Sequence, residues 1–280
     1  MVAQEREIEV QGLPTRYLTA GGGLPLLLLH GVGDNAFDWR WVIPTLALDH
    51  RVYAPDLPGS GGSAKPVADY SPAFLTRFVG AFLDAVGVDH AAVVGNSLGG
   101  LVGLRLALSE PERVTALGLV DSAGLGRKVA YSLRFVSVPG YGKLAVAWGK
   151  RRPGAAQRVL VRAALLFSRP WRVPRGWLTE QYRLARLPGF LEAQLAILRS
   201  QVRLRGQREV LLDRLPNLEP PTLVVWGERD RVLPLSQAHE AIARLPNGSL
   251  ELIPDCGHLP HVEHPERFAA ILGRFLGGQT

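Results

Sequence analysis

Residues 91–100 read Ala-Ala-Val-Val-Gly-Asn-Ser-Leu-Gly-Gly and lead into a stretch with helical spacing that reaches Ser109. Nothing else in the 280-residue chain restricts its fold as tightly. A buried apolar strand that turns straight into a helix leaves no room for Cβ atoms at the bend, which accounts for glycine on both sides of Ser97. Such an elbow lifts the serine above the sheet. The helix start beneath it supplies free backbone N–H groups and a partial positive charge.

The surrounding pattern agrees. Leu26–Leu29, Val52–Ala54, Ala91–Val94 and Ala116–Val120 are short apolar runs bounded by Gly, Pro or Asp, as parallel strands buried on both faces require. Helical spacing separates them, notably over 71–86 and 98–109. This alternation predicts a doubly wound, mostly parallel α/β sheet. It stops for about 90 residues. From Arg127 to Leu215 the chain reads as amphipathic helices broken by Pro and Gly, such as 154–167, 177–187 and 190–204. Strands resume at Thr222–Trp226 and Leu250–Ile253, and a last helix is expected over 265–276. The expectation is one core formed by residues 1–124 and 216–280, with residues 125–215 inserted as a helical cap over the carboxyl edge of the sheet, where ligands bind.

Several classes are disfavoured by composition. No run of about 18 uncharged apolar residues exists, so a spanning helix is not expected. The stretch Met1–Glu7 is charged and lacks the apolar centre of a secretory signal. One cysteine, Cys256, cannot form an internal disulfide framework. A cytoplasmic location is therefore expected. No His/Cys/Asp/Glu cluster has metal-ligand spacing, and neither a metal nor another cofactor is expected.

A free hydroxyl is a poor nucleophile at neutral pH, so Ser97 needs a base. Of seven histidines, His50, His90 and His239 sit at ordinary element boundaries, and His264 reads as the start of the last helix. His30 ends a strand, where packing is its expected role. His258 lies in Pro254-Asp255-Cys256-Gly257-His258, after the 250–253 strand and at the same sheet edge as Ser97. Asp230, just after the 222–226 strand, is the expected orienting acid, ahead of Glu228 and Asp121. An oxyanion needs two donors: the N–H of Leu98, after the nucleophile, and the N–H of Val32 in His30-Gly31-Val32-Gly33-Asp34. Cys256 reads as a small buried side chain.

With these residues in hand, the chain resembles the α/β-hydrolase superfamily over nearly its whole length. The matching motifs are His30-Gly31 with Trp39, Asp56-Leu57-Pro58-Gly59-Ser60-Gly61 with Ser63, the Ser97 elbow, Asp230 and Gly257-His258. The resemblance implies an α/β-hydrolase fold of about eight strands and a Ser97–His258–Asp230 triad acting through an acyl-enzyme. The elbow and His30-Gly31-Val32-Gly33 look like the carbon–carbon bond hydrolases of aromatic meta-cleavage pathways. Asp34-Asn35 and Leu259 depart from their usual Pro-Gly and Trp. The chain is similar in equal measure to carboxylesterases and small lipases, and an ester hydrolase is the favoured reading. The alternatives are a carbon–carbon bond hydrolase and a ligand receptor with weak turnover.

Substrate contacts are expected at His30, Gly31, Gly33, Trp148 and Leu259, around a pocket for an apolar acyl group. Between Gly126 and Leu215 the chain holds 19 Lys and Arg against 4 Asp and Glu, whereas the remainder holds 13 against 21. A solvated helix surface and attraction to an anionic lipid surface both account for that excess. No nucleic-acid recognition motif accompanies it. Oligomeric state is not legible.

Overall fold

A computed structural model describes residues 2–278. The chain opens with an antiparallel hairpin, β1 (Gln4–Val10) and β2 (Leu13–Ala20). Then come β3 (Leu24–Leu29), the one-turn helix α1 (Ile43–Leu46) and β4 (His50–Pro55). Helix α2 (Pro72–Ala85) precedes β5 (Ala91–Asn96), which runs into α3 (Leu98–Ser109) and on to β6 (Val114–Val120). An inserted block follows: α4 (Tyr131–Val136), α5 (Tyr141–Gly149), α6 (Arg152–Leu166), α7 (Arg175–Ala185), α8 (Phe190–Gln201) and a small hairpin, β7 (Val202–Arg203) with β8 (Gly206–Gln207). Finally β9 (Thr222–Gly227), α9 (Ser236–Ile242), β10 (Gly248–Ile253), α10 (Pro260–Glu263) and α11 (Pro265–Gly277) complete the chain.

The main sheet has eight strands in the order β1-β2-β4-β3-β5-β6-β9-β10. All neighbours from β4 to β10 pair in parallel; the β2 pairings are antiparallel. This is the mostly parallel, doubly wound sheet expected from the apolar runs, with the eight strands that the resemblance implied. Successive residues of a strand face opposite sides. Leu27 and Leu29 of β3 accordingly pack in one layer with α2 and α3, while Leu26 and Leu28 pack in the other with α1 and α11. Helix α2 begins where Ser71 accepts a hydrogen bond from the Phe74 N–H and Pro72 occupies the first turn, both favourable at a helix start.

Two hairpins escaped the sequence reading, as did the short helices α1, α9 and α10. The β1–β2 hairpin has a mostly exposed, charged outer strand, so it shows no buried-strand run. Its turn does carry a signal, since Gln11 and Gly12 both have positive φ, the geometry of a two-residue hairpin turn. The helix expected over 190–204 stops at Gln201, where the β7–β8 hairpin begins.

The parallel strands deliver their carboxyl ends to one edge. There lie the 30–35 loop after β3, Ser97 after β5, Asp121 after β6, Asp230 after β9 and His258 after β10. The inserted helices leave from the same edge.

Candidate active site

Ser97 sits at the junction of β5 and α3 with φ 54° and ψ −113°. An L-residue in this region carries about 1–3 kcal/mol of strain and persists only when its surroundings hold it. Here the Ser97 N–H donates to the Val120 carbonyl at 3.0 Å, and the Ser97 carbonyl accepts from Ala123 at 3.0 Å and Leu101 at 3.2 Å. The glycines are sterically required: a Cβ on Gly95 would lie 2.2 Å from the Gly99 carbonyl, and one on Gly99 2.2 Å from the Leu29 carbonyl oxygen.

The His258 ring is held from behind. Its Nδ1 lies 2.8 Å from Asp230 Oδ2, and both side chains are almost fully buried. The other Asp230 oxygen accepts the Val232 N–H at 2.7 Å and the Leu233 N–H at 3.2 Å. A carboxylate partner on Nδ1 fixes the proton there and leaves Nε2 with a lone pair. His258 and Ser97 both face one cavity. Asn96 links the two, since its Nδ2 donates to the Val120 and His258 carbonyls at 3.2 and 3.0 Å.

Asp121, also at positive φ, is fully buried behind Asp230 and accepts the Gly227 N–H at 3.0 Å. Burial, reinforced by the Asp230 charge, raises its pKa well above the usual carboxylate range. Polar atoms of Asp121, Asp230 and His258 lie within 4.8 Å of one another, a density that invites a test as a cation site. Asp230 spends both oxygens on N–H donors and His258 Nδ1 is one of them, so the donor set fits a hydrogen-bonded chain better than a metal.

The N–H of Leu98 opens α3, and the N–H of Val32 lies in the facing loop; among the described residues neither donates to a protein acceptor. The inserted helices strap that loop. Gln194 of α8 accepts the Gly33 N–H at 2.6 Å and donates to Gly59 and Ser60. Arg162 of α6 pairs with Asp34 and reaches the Val32 carbonyl at 3.3 Å. The histidine loop is strapped as well, with the His258 N–H donating to the Leu166 carbonyl at 2.7 Å.

Above Ser97 lies a cavity of about 560 Å³ walled mostly by apolar side chains of the insertion, among them Leu133, Leu165, Leu195 and Leu198. Arg158 and Arg162 are its cationic wall. Arg162 has Asp34. Arg158 donates a hydrogen bond to Gln181 at 3.2 Å and lies over the Phe190 ring, with no carboxylate partner among the described residues, and burial together with repulsion from Arg162 pushes its pKa down to about 9.

Residues 25–265 match the family model described as alpha/beta hydrolase fold. The chain belongs to the α/β-hydrolase family. It is 33% identical over 276 residues, 97% of this chain and 90% of the relative, to a 2-hydroxy-6-oxo-6-(2'-aminophenyl)hexa-2,4-dienoic acid hydrolase of Metapseudomonas resinovorans. Among solved structures, a serine hydrolase involved in carbazole degradation superposes with TM-score 0.82 at 31% identity, covering 99% of both chains. A membrane phospholipase A, described as a bacterial virulence factor, superposes with TM-score 0.83 at 30% identity over 99% of this chain and 86% of that one.

Within this α/β-hydrolase the residues singled out from sequence divide into two groups. Ser97, His258, Asp230, Val32 and Leu98 gather at one edge, and Gly33 and Trp148 line the cavity. Three expected substrate contacts do not reach it. His30 is buried, its Nε2 accepting the Leu57 N–H at 3.0 Å and its Nδ1 bonding the Gly31 carbonyl at 2.9 Å. It is a neutral brace between two loops, and burial lowers its pKa. Gly31 packs under the nucleophile, where a Cβ would stand 3.2 Å from that of Ser97. Leu259 is wholly buried in the core. Glu228 is exposed, away from His258, and Cys256 is buried, as expected of it. The straps Asn96, Gln194 and Glu263, which accepts the Gly257 N–H at 2.8 Å, were missed. Each is a polar side chain bonding far along the chain or into a loop backbone, a pairing without a local sequence signature. No described helix is long and apolar enough to cross a membrane.

Proposed function

We propose that the protein hydrolyses carboxylic esters carrying an apolar acyl group. The observation that carries this reading is the Asp230–His258 bond of 2.8 Å, which turns Nε2 toward the cavity that Ser97 also faces. Ser97 Oγ makes no hydrogen bond among the described residues. Catalytic bonds between such a hydroxyl and Nε2 commonly tighten only with substrate present. His258 takes the Ser97 proton as Oγ attacks the ester carbonyl, and the Val32 and Leu98 amides hold the oxyanion. The proton then passes to the departing alcohol, and water repeats the sequence on the acyl-enzyme. Asp230 stabilises the imidazolium without accepting the proton. The apolar wall supports an acyl chain as the bound portion.

One observation favours a second reading. Arg158 lines the cavity with no carboxylate partner among the described residues, and a guanidinium so placed suits a substrate carboxylate. A carbon–carbon bond hydrolase acting on a dienoic acid would use it, and the Metapseudomonas relative is a dienoic acid hydrolase. A p-nitrophenyl ester series of increasing acyl length, run beside a chromogenic meta-cleavage product, separates the two. Ester turnover dependent on Ser97 and rising with chain length supports the first reading. Turnover of the dienoate alone, lost in Arg158→Ala, replaces it with the second. Ligand binding without turnover of either would make the chain a receptor.

A further inference from the structure

The inserted helices expose apolar side chains at the mouth of the cavity. On α5, Tyr141, Leu144 and Trp148 follow one helical stripe and are 57%, 71% and 45% exposed, yet all three also line the cavity. On α4, one turn apart, Tyr131 and Phe135 are exposed, as is Leu204 in the turn of the β7–β8 hairpin. Helix α4 adjoins both α5 and β7, and exposed apolar groups gathered on adjoining elements mark an interaction surface.

Cations adjoin it. The α4–α5 turn (Ser137–Pro139) and the hairpin arginines Arg203 and Arg205 line one shared groove, and Arg127 and Arg208 join the hairpin in a second. Arg127, Lys128, Lys143, Arg203 and Arg205 are exposed and form no ion pair among the described residues. The four carboxylates between Gly126 and Leu215 do not offset them: Glu180, Glu192, Glu209 and Asp213 are already paired with Arg183, Lys150, Arg105 and Arg244.

We propose that this face docks on anionic lipid bilayers. The α4–α5 aromatics and Leu144 enter the boundary between headgroups and acyl chains, and the hairpin arginines meet the headgroup phosphates. Apolar groups alone would suit many partners, and cations alone any polyanion. The two together, around the opening of an apolar cavity, match a surface that is anionic outside and apolar beneath. Delivery of a lipid ester from that surface to Ser97 rests on the ester-hydrolase reading; the docking does not.

The test uses Ser97→Ala protein, which binds without turnover, in co-sedimentation with vesicles of phosphatidylcholine alone or with phosphatidylglycerol. The expected result at low salt is at least tenfold tighter binding to the anionic vesicles, weakened at about 0.5 M NaCl. Each basic residue near such a surface strengthens binding roughly fivefold, so Arg203→Glu with Arg205→Glu lowers it twentyfold or more. Leu144→Asp lowers it several-fold, with circular dichroism confirming the fold of each variant. Equal binding to both vesicles, or none, overturns the proposal. So does retention on a single-stranded oligonucleotide without vesicle binding. Failure to dock by a protein that still hydrolyses p-nitrophenyl esters removes only this proposal, and docking without Ser97-dependent turnover removes only the ester reading.

Discussion

The sheet and the inserted helices contribute to the same cavity in different ways. The residues proposed to touch the reacting bond, Ser97, His258, Val32 and Leu98, all lie at the sheet's carboxyl edge, as does Asp230 behind them. The helices contribute none of these. They contribute the apolar wall, the cations, and the polar straps that fix two of the sheet's loops: Gln194 and Arg162 on the 32–34 loop, Leu166 on the His258 loop. The division is therefore between chemistry and placement rather than between active and passive parts. A buried sheet is rigid enough to hold a strained serine, whereas its long exit loops need outside support.

Mutations that separate the two contributions can break this comparison. The largest effect belongs to the sheet. Ser97→Ala is expected to lower kcat for a short p-nitrophenyl ester by about 10⁴-fold or more, with KM little changed, because the nucleophile serves the transition state and not ground-state binding. A loss below tenfold would move the chemistry elsewhere. A strap should come next. Gln194→Ala frees the Gly33 N–H from its acceptor and loosens the loop that carries Val32; steady-state kinetics should show kcat down about 10- to 100-fold, since small misplacements near the oxyanion are costly. If only KM moves, the helices act on binding alone and the division sharpens into sheet for rate, helices for affinity.

A wall position should show the converse. Leu165→Ala enlarges the cavity without touching the straps, so the preferred acyl length in an ester series is expected to rise, with kcat/KM for short esters down about 3- to 10-fold. An unchanged chain-length profile would mean that the acyl group lies elsewhere.

The smallest effect concerns stability. In the folded chain burial, and after it the Asp230 charge, raise the pKa of Asp121 well above the usual carboxylate range. A group whose folded pKa is raised binds more protons folded than unfolded, so its contribution to stability falls as pH rises above the unfolded value of about 4. Asp121→Asn removes that dependence. Thermal unfolding from pH 5 to 9 should show the variant gaining on the parent by a few degrees toward the alkaline end. A constant difference would mean that Asp121 does not titrate as described.

The same contrast explains what could be read from the sequence. Leu26–Leu29, Ala91–Val94 and Thr222–Trp226 announce buried parallel strands, because both faces must be apolar, and the residues beyond such strands fall on one edge by topology. Ser97, Asp230 and His258 were therefore legible without knowledge of any contact. The inserted helices were legible as helices but not in orientation. Their apolar residues serve packing, cavity and exposed rim alike: Trp177 is buried against Phe167, whereas Trp148 is half exposed at the mouth. His30 could be read both as a packing residue and as a substrate contact, because a loop histidine beside the nucleophile's strand looks the same whether its nitrogens face substrate or backbone; it takes the packing role. Gln194 was silent because its partner, Gly33, is 161 residues away.

The central claim is that the residue-97 hydroxyl is made nucleophilic by the residue-258 imidazole. Intact-mass and peptide mass spectrometry after treatment with a fluorophosphonate tests it most directly. The account predicts one adduct, on the peptide containing Ser97, absent in Ser97→Ala and slowed at least a thousandfold in His258→Ala. Modification of another residue, or labelling of Ser97 at an undiminished rate without His258, would contradict it.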